Sequence, residues 1–98
     1  MERFAGFDWD SGNRSKCQKH GVSIEEIESV FHGSPAFSVD TGHSHDETRI
    51  RAVGVADSGR YVFVVFAVRV RPGGRMVRPI SARYMHRKEI GQYEKTRP

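Results

Sequence analysis

The run YVFVVFAVRV, Tyr61–Val70, constrains the fold more than any other stretch of the chain. Successive side chains of a β-strand point to opposite faces, and both alternating sets here are almost wholly apolar. A strand of this kind belongs in the middle of a sheet, covered on both sides. DSGR (Asp57–Arg60) before it and RPGGR (Arg71–Arg75) after it are turn sequences. They connect it to TRIRAVGVA (Thr48–Ala56) on one side and MVRPISAR (Met76–Arg83) on the other, predicting an antiparallel meander. Pro79 cannot donate to a ladder, so the third of these strands is expected at an edge or with a bulge.

Helices are predicted on either side of the meander. FAGFDWD (Phe4–Asp10) reads as a short edge strand or an aromatic plug. The following residues give one or two helical turns ending at Gly21, placed as a left-handed C-cap. Ser23 and Glu26 form a capping box, with Val22 and Ile27 as its hydrophobic staple. Ile24, Ile27, Val30 and Phe31 then share one helical stripe until Gly33-Ser34-Pro35 stops it. Near the other end, His86, Ile90 and Tyr93 stand at i, i+4 and i+7, which assigns His86 to a packed stripe. The expected fold class is α+β: N-terminal helices, an antiparallel sheet of three to four strands and a C-terminal helix. With 98 residues, the chain is expected to be one domain, 1–98.

One cysteine, Cys17, excludes an internal disulfide framework and fits a reducing compartment. Its expected role is packing rather than nucleophilic attack. No apolar run approaches the roughly 20 residues of a membrane span, and no signal-peptide pattern opens the chain. These features predict a cytoplasmic protein. Charge is divided unequally: residues 1–50 hold five Lys/Arg against nine Asp/Glu, whereas residues 51–98 hold eleven against three. The second half can attract a polyanion, and its cations are mainly arginine, the side chain suited to bidentate phosphate contacts. An acidic protein partner would suit it equally well.

Three clusters could carry chemistry. Lys16, Lys19 and His20 end the first helix, where cations also simply complement the helix dipole. DTGHSHDETRIR holds His43, His45, Asp46, Glu47, Arg49 and Arg51. A His-x-His pair beside carboxylates could ligate a metal, although a solvated loop explains it too. Glu47 and Arg49 lie two apart, so on a strand they would share a face, as a proton-transfer group beside a phosphate clamp or as a plain ion pair. The third cluster is Arg78, Arg83, His86, Arg87 and Lys88, where Arg87 and Lys88 fit a polar helix face. Metal-free RNA cleavage needs a base for the 2′-hydroxyl, an acid for the leaving oxygen and cations for the phosphoryl charge. The chain has all three kinds of group, and it lacks a P-loop, a nucleophile elbow and a dinucleotide fingerprint.

FDWD (Phe7–Asp10), KHGVS (Lys19–Ser23), Val30-Phe31, HSxxExR (His43–Arg49) with Gly54, and ISAR (Ile80–Arg83) followed by Glu89 and Tyr93 occur in one order. Together they resemble the BrnT family of toxins over nearly the whole chain. The resemblance implies a RelE-like fold and a metal-independent endoribonuclease toxin of a type II toxin–antitoxin system, without cofactor. It also implies a separate BrnA-like, DNA-binding antitoxin, with the toxin monomeric alone and hetero-oligomeric in the complex. On the matching motifs, Arg49 and Arg83 are candidate phosphate or transition-state ligands, Glu47 and His20 the acid/base candidates, and Lys19 an electrostatic helper. Arg51, Arg69, Arg78 and Arg87 are further RNA-binding candidates. Two other readings remain open: a non-catalytic module that binds RNA or protein, and a metal-binding loop at His43/His45.

Overall fold

The computed structural model describes residues 4–43 and 47–96. The elements follow the order β1 (Gly6–Phe7), α1 (Ser11–Cys17), α2 (Ile24–His32), β2 (Ala36–Val39), a 3-10 turn (Thr41–His43), β3 (Ile50–Val55), β4 (Tyr61–Arg71), β5 (Gly74–Tyr84) and α3 (Arg87–Thr96). One five-stranded sheet has the order β1-β5-β4-β3-β2. β1 runs parallel to β5, and every other neighbouring pair is antiparallel. The fold is therefore α+β as expected, with β4 at the centre of the sheet. The expected three to four strands become five, because β2 adds an outer strand that the sequence pattern does not mark. All four β2 residues are exposed, so they carry no alternation of burial to read.

Alternation along the meander sorts its side chains into two sets. Ala52 and Ala56 of the β3 segment, Val62, Val64 and Phe66 of β4, and Val77 and Ala82 of β5 are buried with Cys17, Val22, Ile27 and Val30 from the helical layer. Phe4, Phe7, Phe31, Phe37 and Phe66 extend this core as edge-to-face or tilted rings 5.0–6.3 Å apart. The intervening side chains, including Arg51, Phe63, Val65, Ser81 and Arg83, face the other way and border an open pocket.

Pro79 sits at a bulge. Val65 pairs with Ser81, but Phe66 pairs with Pro79, so Ile80 is left without a cross-strand partner. The Pro79 carbonyl is used by α1: Asn13 is buried, and its Nδ2 donates to Pro79 O at 2.9 Å and to Asp8 O at 3.0 Å. One side chain thus ties α1 to the end of β1 and to the bulge. Asn13 also completes a capping box with Asp10, a signal not singled out in the sequence. The second box is formed as expected by Ser23 and Glu26, with Val22 and Ile27 both buried beside it. Gly21 has a φ of +93°, the left-handed turn its residue type predicts.

Cys17 is fully buried, and that burial raises its thiol pKa to about 11. It is a packing group held in the unreactive thiol form. The helix after β5 corrects one expectation. It begins at Arg87, so His86 lies at its N-terminal boundary rather than on its apolar stripe, and the His86 side chain is 73% exposed. Tyr93 does pack, meeting Tyr61 edge-on at 6.0 Å, while the Tyr61 hydroxyl donates to Glu94. α3 thereby covers one end of the face that α1 and α2 leave open.

Gly54 faces Val30 of α2 and the following Pro35 at close range. A Cβ there would lie 3.2 Å from Val30 Cγ1 and 3.4 Å from Pro35 Cα. Substitution Gly54→Ala is expected to destabilise the fold by about 1–3 kcal/mol through overpacking. Chemical denaturation checks this; an unchanged midpoint would mean that the helix can move aside without loss.

Candidate active site

The register of β3, β4 and β5 builds the site. Arg51, Val65 and Ser81 form one cross-strand row on the open face, and Phe63 and Arg83 are paired in an adjacent row. Arg49 approaches from the segment entering β3, Asp40 from the end of β2, and Glu89 from the first turn of α3. These side chains line one cavity of about 450 Å³ with polar and apolar walls. Three arginines and two acids therefore line one cavity, together with Phe63, Val65 and Ser81.

Each partner fixes a different part of this pocket. Asp40 is buried, and Arg51 Nη2 donates to its Oδ1 at 3.2 Å. The Asp40 backbone N–H bonds to Arg49 O at 2.8 Å, joining the end of β2 to the start of β3. Arg83 lies 4.2 Å above the centre of the Phe63 ring and gives two parallel 2.8 Å hydrogen bonds to Glu89. The His86 backbone N–H also donates to Glu89 Oε1 at 2.8 Å. Donation from Arg83, opposed by partial burial and aided by the His86 N–H, lowers the Glu89 pKa from 4.5 to about 2. The same hydrogen bonds raise the Arg83 pKa.

Of the residues proposed for catalysis, Arg49 and Arg83 are brought together in this pocket, and Arg51 joins them. Glu47 does not pair with its sequence neighbour Arg49. It accepts from both Nη atoms of Arg69, the second at 3.3 Å. That donation, opposed by desolvation and assisted by the charges of Arg69, Arg49 and Arg78, keeps its carboxyl below the usual range. Arg69 is thus held by an acid, and so is Arg78, whose Nη2 donates to Asp10 at 2.8 Å. Arg87 is exposed at the start of α3.

Lys19 and His20 lie in the exposed turn after α1, in the helical layer, and line none of the pocket. Their turn touches the sheet through Tyr84, whose hydroxyl reaches Gly21 O at 3.2 Å and Glu26 at 2.7 Å. Tyr84 is next to Arg83, so the two clusters meet at one end of β5 from opposite faces. Sequence reasoning gave no role to Asp40, Phe63, Ser81 or Glu89. Glu89 had a local signal, because an acid six residues after Arg83 sits one helical turn beyond a strand end. The others required the register. His45 and Asp46 lie outside the described residues, as does the metal-loop reading that depends on them. Among the described residues, no three His, Cys, Asp or Glu side chains gather as a metal site. No helix among them is long and apolar enough to cross a membrane.

The sequence model for the ribonuclease toxin, BrnT, of type II toxin-antitoxin systems matches residues 9–89. The chain belongs to the BrnT family. It is accordingly a ribonuclease toxin whose target is RNA and whose partner is an antitoxin. The matched span takes in every residue lining the arginine pocket. No curated protein matches the chain.

The lowered pKa of Glu89 has a consequence for stability. A carboxyl group depressed on folding stabilises the native state above its unfolded pKa and loses that contribution as pH falls through its folded pKa. The melting-temperature difference between wild type and Glu89→Gln should therefore be largest above about pH 4.5 and shrink towards about pH 2. Thermal unfolding of both proteins across that interval checks it; a constant difference would remove the ion pair as its source.

Proposed function

We propose that this BrnT family toxin is a metal-independent endoribonuclease that grips one phosphate of its RNA between Arg49, Arg51 and Arg83. The observation that carries this reading is that these three arginines line one cavity on the open sheet face. Arginine offers planar, permanently charged donors that match phosphate oxygens, and charge developing on phosphorus-bound oxygens is what such donors stabilise. Glu47, kept ionised by Arg69, is the candidate to accept the 2′-hydroxyl proton. His20 and Lys19, exposed beyond the same end of β5, are candidates to meet the RNA chain where it leaves the pocket. Arg69, Arg78 and Arg87 extend the basic surface along which it would run.

The proposed partner is a BrnA-like antitoxin that binds operator DNA, with the toxin monomeric when alone and part of a hetero-oligomer in the complex. Carboxylates already pair with Arg51 and Arg83 in the pocket, so an acidic antitoxin segment could replace Asp40 or Glu89 by like chemistry. We place this activity in the cytoplasm, within a single domain spanning 1–98.

A second reading, RNA binding without cleavage, is favoured by one observation. Both carboxylates lining the pocket are ion-paired with its arginines, so neither is poised to move a proton. The two readings separate in one assay. Purified toxin should cut RNA in the presence of EDTA, and expression should arrest growth unless antitoxin is co-expressed. Arg49→Ala with Arg83→Ala should lower cleavage by at least about 10²–10³-fold, the effect of removing a transition-state donor, while the circular dichroism spectrum is kept. Full cleavage by that double variant overturns the site; salt-sensitive binding with intact RNA supports the second reading.

A further inference from the structure

We infer that Glu89 is a positioning residue for Arg83, presenting the free edge of its guanidinium to an RNA phosphate; this rests on the reading of Arg83 as a phosphate ligand. Arg83 has five N–H donors. Glu89 takes one from Nη1 and one from Nη2, at 2.8 Å each, and Tyr84 O takes another from Nη1 at 3.3 Å. Among the described residues no acceptor engages Nε. The Nε–H and the remaining Nη2–H lie along one edge of the plane, and two parallel donors there fit two oxygens of one phosphate. Phe63 supports the group from one side, its ring centre 4.2 Å from Arg83 Cζ.

Glu89 can hold this geometry because it is itself held. The His86 N–H bonds to Oε1, which anchors the carboxylate to the backbone at the start of α3. Arg83 and Glu89 therefore form a short rigid bridge between a strand end and a helix start. A long cationic side chain held in this way has already lost the rotamer freedom that phosphate binding would otherwise remove. At metal sites, outer groups that orient the ligating side chains matter by about 10–100-fold without touching the metal, and the same scale is expected here.

The alternative role for an acid in a basic pocket is a brake. It lowers the local positive charge, and removing it should then tighten RNA binding. The two roles predict opposite signs for Glu89→Gln, which removes the negative charge but nearly keeps the shape. The probe is a 2′-O-methyl RNA oligonucleotide, which keeps the phosphates but has no free 2′-hydroxyl to attack. Its Kd would be measured for wild type, Glu89→Gln, Arg83→Ala and the double variant, alongside cleavage of the unmodified RNA. We expect Glu89→Gln to weaken binding and to lower kcat/KM by about 10–100-fold. In the Arg83→Ala background the same change should have less than about a twofold effect, a coupling that a purely structural role would not produce.

Tighter binding by Glu89→Gln would overturn the inference in favour of a brake. An undiminished Glu89→Gln effect without Arg83 would also overturn it, because Glu89 would then act by itself or through the fold. If wild type binds the probe but cuts no RNA, the catalytic reading fails and the binding cycle still decides the role of Glu89. If wild type does not bind the probe, Arg83 is no phosphate ligand and the inference falls with that reading.

Discussion

The two-residue period of β4 is the constraint on which the rest of the molecule depends. Val62, Val64 and Phe66 enter the core beneath α1 and α2, which requires Phe63 and Val65 to face the opposite side. Because β3 pairs with Tyr61–Phe66 and β5 with Val62–Arg71 of β4, their residues at the site inherit the same division. Arg51 and Arg83 consequently come to one face from strands two apart, with β4 between them, a lateral separation of about 9–10 Å at the usual strand spacing. A one-residue slip of either neighbour would bury a guanidinium and expose an aliphatic core residue. Burial on one face thus fixes the position of charge on the other.

Electrostatically, the pocket is closer to balance than the sequence charge suggests. Arg51 faces Asp40, Arg83 faces Glu89, and just outside it Arg69 faces Glu47 and Arg78 faces Asp10. Many of the acids that make the first half of the chain negative lie against arginines of the second half. The partly exposed pairs contribute little to stability one by one. Their larger effect is geometric, because each carboxylate selects one arrangement of a flexible cation. A polyanion approaching this face meets cations already oriented rather than a diffuse positive cloud.

The parts of the fold with strong local or period-two signals were legible in the sequence. The apolar run of β4, the Ser23–Glu26 box, the Gly21 turn and the bulge at Pro79 each follow from steric or hydrogen-bonding rules acting over a few residues. β2 was not legible, because four exposed residues after a proline carry no periodic signal. Asp10 and Asn13 show that a capping box can be missed when its N3 residue is neither Glu nor Gln. At the site, Arg49 and Arg83 could be named from their motifs, and the partner of Glu47 could not. Spacing pointed to Arg49, whereas the fold supplies Arg69, 22 positions away, because the chain turns before β3 begins. His86 was misplaced for a similar reason: a helix that starts one residue later changes which side chains share its stripe.

The bulge and the parallel pairing of β1 also bear on how the protein comes into being. Asp8 and Arg78 meet across 70 positions, and the arginines of the pocket come from strands separated by the whole of β4. During translation Arg49 and Arg51 emerge well before Arg83 and Glu89. At about 5–20 residues per second, synthesis of the intervening stretch takes several seconds. Throughout that interval the nascent chain has basic residues without the cavity that arranges them. The arginine pocket is thereby incomplete until β5 and the start of α3, the last of its parts to be made, are in place.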